Sequence, residues 1–294
     1  MRILVMGASG MLGHKVYQTL AATDHQVFGA LRRPVGEFDE YDIFELSSVI
    51  EGVDVRIPET IEQAFLEARP EVVINCVGLI KSLAKDPTLA IELNSLLPQR
   101  LAKYCDLTGA RLVQISTDCV FSGRDGRYTE ESVPDPEDLY GRTKLLGEVV
   151  SPTHLTIRTS IIGRELGTKR NLVEWILSQR GEANGFANAW FSGLTTRALS
   201  RVLVSLVERG GVNGLLHVAG ERVNKYNLLG MVVRHFGLDL KVNRYEDFHS
   251  DRSLAAGPFG ALGIVVPRMD DMMAEMAAED GMYQNATVAM SGAS

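Results

Sequence analysis

The stretch Gly7-Ala8-Ser9-Gly10-Met11-Leu12-Gly13 decides the fold. It follows the short apolar run Ile3 to Met6, which reads as a buried strand, and opens the helical pattern Met11 to Ala21. Strand, glycine turn and helix in immediate succession is the setting of a dinucleotide-binding loop. Gly7 permits the tight turn, Gly10 lets the backbone approach a pyrophosphate, and Gly13 lets the helix pack close to the strand. The helix N-terminus adds N–H donors and a partial positive charge for phosphates. A glycine turn with no ligand would carry the same letters; the strand before it and the helix after it favour the dinucleotide. No Gly-Lys-Ser/Thr follows, so this is not a Walker loop.

Outward from that loop, short apolar runs alternate with helical patterns. Gln26 to Leu31, Val72 to Val77 and Arg111 to Ser116 read as strands, and Thr60 to Ala68 and Leu89 to Tyr104 as helices. Strands apolar throughout and separated by helices indicate a parallel sheet covered on both faces, hence an α/β, Rossmann-type doubly wound fold. After Pro152 the regularity fades. His154 to Ile162 reads as one strand, Gly181 to Thr196 as loop, and Leu215 to Val218 as a return to the sheet. Asn227 to Phe236 and Met269 to Met276 read as helices, with Met269, Met272, Met273 and Met276 on one apolar stripe suited to core packing. The expected organisation is a dinucleotide-binding domain over residues 1–165, rejoined by 195–220, and a smaller substrate-binding region over 166–294. Asn285 to Ser294, small and polar, is expected to be disordered.

The composition is that of an ordinary globular protein. The 294 residues are 45% hydrophobic and carry 37 acids against 30 bases, a net charge of −7. That balance argues against a nucleic-acid backbone as partner. No apolar run reaches the roughly 18 residues of a membrane helix, and the N-terminal run breaks at Gly7, too early for a signal peptide. Cys76, Cys105 and Cys119 have no CxxC spacing. A cytoplasmic protein without membrane partner or disulfide framework is expected. The six histidines lack HExxH or HxxxH spacing and no GxSxG is present, so no metal ligand set and no serine-hydrolase elbow can be assigned.

Two further stretches carry chemistry. The second strand ends in Arg32-Arg33 where an NAD-specific site would place an acid, and two arginines suit the 2′-phosphate of NADPH. Tyr140-Gly141-Arg142-Thr143-Lys144 sets a phenol and an ammonium one helical turn apart. A nearby cation is expected to lower the phenol's pKa and make it a usable acid. Gln114-Ile115-Ser116-Thr117-Asp118 would place hydroxyls at the carboxyl edge of the sheet, where open α/β folds bind ligands.

Together these motifs resemble the extended short-chain dehydrogenases/reductases. The GxxGxxG spacing and the Met11-Leu12 pair resemble that branch. Ser116-Thr117-Asp118-Cys119-Val120-Phe121-Ser122-Gly123, Tyr128-Thr129-Glu130, Pro134-Asp135-Pro136 and Tyr140-Gly141-Arg142-Thr143-Lys144-Leu145-Leu146-Gly147-Glu148 resemble the dTDP-4-dehydrorhamnose reductase family. That resemblance covers most of residues 1–165. It implies a nicotinamide cofactor, NADPH with NADH as the lesser choice, and a nucleotide-linked 4-keto sugar. It implies Thr117, Tyr140 and Lys144 as the catalytic set. Ser9, Asp54 (toward the adenine), Val55, Cys76, Val77, Gly78 and Ser116 are implied around the cofactor with the glycine loop. Lys81, Asn94, Arg158, Trp190 and Arg252 are candidate substrate contacts. The sequence departs from the family pattern at Cys119, where an aromatic is usual, at Val77-Gly78-Leu79-Ile80-Lys81, and at Gly193-Leu194-Thr195-Thr196 in place of Gly-x-Pro-Thr. The sugar is therefore expected to differ from dTDP-4-dehydrorhamnose. An epimerase, or a cofactor-binding regulatory subunit resembling that of methionine adenosyltransferase, is the alternative, and a homodimer is left open.

Overall fold

The computed structural model describes residues 1–284, so the expectation for Asn285 to Ser294 lies outside the described residues. The first half runs β1 (Arg2–Met6), α1 (Gly13–Ala21), β2 (Gln26–Ala30), β3 (Val49–Ile50), α2 (Pro58–Ala68), β4 (Val72–Asn75), α3 (Pro87–Ile91), α4 (Leu97–Thr108), β5 (Arg111–Ile115) and α5 (Leu139–Leu146). The second half runs β6 (Leu155–Arg158), β7 (Ile161–Ile162), α6 (Leu172–Ser178), β8 (Gly181–Phe191), β9 (Leu194–Thr195), α7 (Thr196–Arg209), β10 (Gly214–His217), β11 (Val223–Asn224), α8 (Lys225–His235), β12 (Leu240–Asp251), α9 (Gly257–Ala261) and α10 (Met269–Ala278).

Seven strands form one parallel sheet in the order β10-β6-β5-β4-β1-β2-β3. The chain builds outward from β1 to β3, then crosses back to β4 and builds the other way. The switch therefore lies between β1 and β4, and the crevice outside their carboxyl ends is where such sheets bind ligands. Ile3, Leu4, Val73 and Ile74 are fully buried, as strands sandwiched between helix layers must be. One apolar cluster joins the sheet to α1, α7, α8 and α10, and a second joins it to α2 and α4. The methionine stripe is core: Met269, Met272 and Met273 are fully buried, and α10 packs on α8. Among the described residues no helix is long and apolar enough to cross a membrane.

Three sequence expectations need correction. The first is Gly181 to Thr196, which is not a loop: β8 runs through Gly181–Phe191 in a three-stranded sheet ordered β11-β8-β12. Its inward residues Ala183, Gly185, Ala187 and Ala189 are small, and with the Asn residues between them they give the stretch the composition of a loop rather than of a strand. A Cβ on Gly185 would lie 2.7 Å from the Tyr226 Cα, which shows how closely β8 and α8 approach. The second is the single helix Leu89 to Tyr104, which is interrupted by a π-turn over Glu92–Leu96. Pro98 has no N–H for the Asn94 carbonyl four residues back, and the ladder widens there. The third is the strand His154 to Ile162, which divides into β6 in the main sheet and β7 paired with β9. Leu215 to Val218 does return to the main sheet, as edge strand β10 over Gly214–His217.

Candidate active site

The glycine loop follows β1 directly. Gly7 has φ +71°, and a Cβ there would come 2.8 Å from Val77 Cγ2, just beyond β4. A Cβ on Gly13 would collide with the Gly7 carbonyl, so only glycine lets α1 start so close beneath the loop. No side chain caps the N-terminus of α1 and its first turn holds no acid. No acid or capping side chain therefore competes with an anion for this helix end. Cavities of about 320 Å³ and about 600 Å³ share Gly10, Cys76, Val77, Gly78 and Leu79, and form one cleft across the switch point. The dimensions and the uncapped donors suit an extended dinucleotide.

The smaller cavity is lined by Gly7, Ser9, Arg32, Asp54, Val55 and Arg56 among others. Arg56 Nε donates to Asp54 Oδ1 at 2.9 Å, and this hydrogen bond is the main reason the Asp54 carboxyl is held down to about 2. Two guanidinium groups against one carboxylate leave this end net positive. Arg33 turns away: it pairs with Glu37 at 2.7 Å and stacks over Phe38 at 4.7 Å.

The larger cavity brings Met11, Leu12, Lys81, Ser116, Thr117, Tyr140 and Lys144 together. Asp138 caps α5 by accepting from Gly141 N at 2.8 Å, and a Cβ on Gly141 would collide with the Cys119 carbonyl. That contact seats Tyr140 beside the end of β5. The Thr117 hydroxyl accepts from Cys119 N at 3.1 Å and donates to Asp118 Oδ1 at 3.1 Å, and it lines the same cavity as Tyr140. The surrounding protein raises the Tyr140 phenol above its ordinary value, and Cys119 and Asp118 reinforce this. The expected lowering by Lys144 is not seen. The Lys144 ammonium is itself buried, donates to the Ile115 carbonyl at 2.6 Å, and is pushed down to about 8 by burial, with Glu148 and Cys76 opposing. Tyr140 at neutral pH is accordingly a protonated donor. Burial likewise raises Asp118 and pushes Cys119 up to about 12. Among the described residues, no group of three or more His, Cys, Asp or Glu is placed to hold a metal ion.

The family model of the RmlD substrate-binding domain matches residues 1–249. The chain belongs to the RmlD-like, extended short-chain dehydrogenase/reductase family. The probable low-salt glycan biosynthesis reductase Agl14 of Haloferax volcanii is 30% identical over 233 residues, 75% of each chain. Methionine adenosyltransferase 2 subunit beta of Rattus norvegicus is 35% identical over 148 residues, 50% of this chain and 41% of that one. The match therefore spans less than half of that relative. A dTDP-4-dehydrorhamnose reductase from Bacillus anthracis, solved in complex with NADP, superposes with a TM-score of 0.77 at 21% identity, covering 95% of this chain and 99% of that one.

In this RmlD-like chain several motif residues are structural supports. Glu148 accepts from Arg158 at 2.8 Å on both carboxylate oxygens and from the Ser116 hydroxyl at 2.7 Å. Arg158 therefore lies inside the protein, over the Phe121 ring at 5.2 Å, and not at a diphosphate. Phe121 stacks on Tyr128 at 4.1 Å, and Glu130 accepts from His217 N at 2.8 Å. Asn94 is also buried. It accepts from Leu79 N at 2.8 Å and donates to Thr143 Oγ1 at 3.2 Å, fastening the π-turn to the cleft wall and to α5. Trp190 lies in a separate cavity of about 530 Å³, beneath the Arg222 guanidinium at 3.9 Å. Arg252 donates to the Phe121 carbonyl at 2.9 Å and its charge faces Asp118 and Asp138. Lys81 pairs with Asp138 at 2.7 Å at the cleft mouth. Sequence reasoning missed Arg56, Asn171 and Lys225. Asn171 lines the cleft and donates to the Gly163 carbonyl at 2.8 Å. Lys225 begins α8 over the Phe191 ring at 3.9 Å, with its charge toward Asp118. Only Arg56 had a local signal, two residues after Asp54.

Proposed function

We propose that this chain is an NADPH-dependent reductase of a nucleotide-linked 4-keto-deoxysugar. The observation that carries the reading is that Thr117, Tyr140 and Lys144 line one cleft that begins at the glycine loop. The name of the Haloferax relative supports a reductase in glycan building. In this cleft a bound nicotinamide would be the source of the hydride. The Thr117 hydroxyl, rotating its single proton from Asp118 to the substrate, and Tyr140 donate hydrogen bonds to the keto oxygen, and Tyr140, held as phenol, gives its proton to the alkoxide that develops there. Lys144 contributes a buried positive charge near that oxygen and a donor for ribose hydroxyls. Met11 and Leu12 present backbone donors to the pyrophosphate. Arg32, with Arg56 beside it, holds the adenosine end.

NADPH oxidation should be measured against a panel of nucleotide-linked 4-keto sugars, with the product sugar identified by NMR. Turnover of at least one panel member is expected. Tight NADPH binding with no turnover of any member would overturn the reductase reading and favour a cofactor-binding regulatory subunit, the reading that the adenosyltransferase likeness suggests.

Two further results are expected. Arg32→Ala should remove most of a preference for NADPH over NADH of about tenfold in kcat/KM, because exposed charge pairs are screened by solvent. Arg33→Ala should leave the preference within about twofold, since Arg33 is engaged by Glu37 and Phe38. Steady-state kinetics with both cofactors checks this, and equal loss in the two variants contradicts it. Activity should also fall as pH rises through about 8, because Lys144 loses its charge there, while Tyr140 stays protonated across the same range. A pH profile of kcat/KM that is flat through this region contradicts the role given to Lys144.

A further inference from the structure

His14 is buried at the start of α1, one residue past the glycine loop, and the mechanism leaves it unused. Its Nδ1 lies 2.8 Å from the Gly10 carbonyl oxygen and its Nε2 lies 2.7 Å from the Tyr283 hydroxyl. Burial, with the Lys15 charge beside it, pushes the imidazole down to about 3, so the ring is neutral at physiological pH. A carbonyl oxygen can only accept, so Nδ1 carries the single proton. Nε2 is then the acceptor, and Tyr283 must donate. The hydrogen bonds run in one direction, from the Tyr283 hydroxyl through His14 to the glycine loop.

That direction matters for the loop. The Gly10 carbonyl also accepts from His14 N at 3.1 Å, so two donors on the helix side hold it. In a trans peptide the carbonyl oxygen and the following N–H point opposite ways. Fixing the Gly10 oxygen toward α1 turns the Met11 N–H away from it, toward the cleft that Met11 lines. Tyr283 is itself firmly seated: the Arg164 guanidinium lies 4.7 Å from its ring and the Lys15 ammonium 5.4 Å. The preceding segment is tied to α1 by Lys15–Glu279 at 3.0 Å and to α7 by Arg197–Glu275 at 3.2 Å.

We infer that His14 and Tyr283 are positioning residues for the phosphate-binding loop, through which the C-terminal segment holds the Gly10–Met11 peptide in the orientation that offers its N–H to a cofactor phosphate. The inference rests on the cleft being the dinucleotide site proposed above. The contact joins residues 269 positions apart, and no local motif announces it.

The test is direct binding of NADPH to the full chain, by calorimetry or by its fluorescence, alongside the melting temperature without ligand. Tyr283→Phe keeps the ring that Arg164 and Lys15 contact and removes the hydroxyl that donates to His14. It should raise the Kd for NADPH by about three- to tenfold, the ratio that loss of one buried hydrogen bond corresponds to. His14→Phe, which removes both bonds, should raise it more. His14→Asn, whose amide can still donate to the Gly10 carbonyl, should fall between wild type and His14→Phe. NADPH affinity within about twofold of wild type in Tyr283→Phe, even with a lower melting temperature, would overturn the inference by making the contact structural only. Should His14→Phe not fold, Tyr283→Phe decides alone. A wild-type chain that binds no NADPH would overturn the reading of the cleft itself, an outcome distinct from unequal wild-type and variant affinities.

Discussion

Tyr140→Phe should reduce turnover by about 10²- to 10⁴-fold while NADPH affinity stays within a few-fold of wild type. The phenol sits beside the Thr117 hydroxyl in the cleft, and its surroundings hold it protonated at neutral pH. Its proton is needed only when charge develops on the substrate oxygen, so its loss should appear in kcat rather than in binding. Phenylalanine keeps the ring, and the contact that seats α5, Gly141 against the Cys119 carbonyl, does not involve the hydroxyl. Stopped-flow or steady-state kinetics with the substrate found by the panel, together with NADPH titration, gives both numbers. A variant that keeps more than about half of wild-type kcat, where a positioned acid is worth at least about 10², would remove Tyr140 as the proton donor.

Arg158→Ala should destabilise the fold by about 3–5 kcal/mol, the usual result of stranding one charge of a buried pair. The Arg158 and Glu148 side chains are only 4% and 6% exposed, and they share two hydrogen bonds of 2.8 Å. Without Arg158, the Glu148 carboxylate would keep the Ser116 hydroxyl as its hydrogen-bond donor, in a site that excludes water. The double change Arg158→Met with Glu148→Leu should recover most of the loss, because apolar residues of similar volume carry no desolvation penalty. Urea unfolding of the three proteins measures both steps. A loss below about 1 kcal/mol in Arg158→Ala, typical of a surface pair, would place Arg158 at solvent or substrate after all.

What was legible in advance is what depends on local spacing. Glycines that permit a turn, or that let a helix start against a strand, must stand at set intervals. The loop Gly7 to Gly13, the strands before and after it, and the Tyr140–Lys144 spacing could therefore be read directly. The buried methionine stripe could be read for the same reason, since α-helical periodicity is a property of neighbouring residues. β8 was misread because its inward face is mostly Ala and Gly, poor strand formers, and the Asn residues between them are ones that turns favour. Here tertiary packing, not residue propensity, makes the strand.

Arginine is the residue type on which local reading failed most clearly. Arg32, Arg33, Arg56 and Arg158 carry the same charge and the same donors, yet one pair lines the cofactor cleft, one arginine stacks on Phe38, and one is buried against Glu148. Arg33 and Arg56 have partners close by in the chain, Glu37 with Phe38 and Asp54, but which arginine faces the cleft and which is buried depends on what the fold brings within reach of a long, flexible cation. The same holds for the pKa values. The Tyr140–Lys144 spacing promised a phenol lowered by a cation, but burial acts on both groups and raises the one while lowering the other. The link from Tyr283 through His14 to Gly10 is the extreme case. The chemical family and the candidate reacting groups can be read from the order of residues along the chain, whereas desolvation, charge partners and the contacts of the loop exist only once distant segments have packed together.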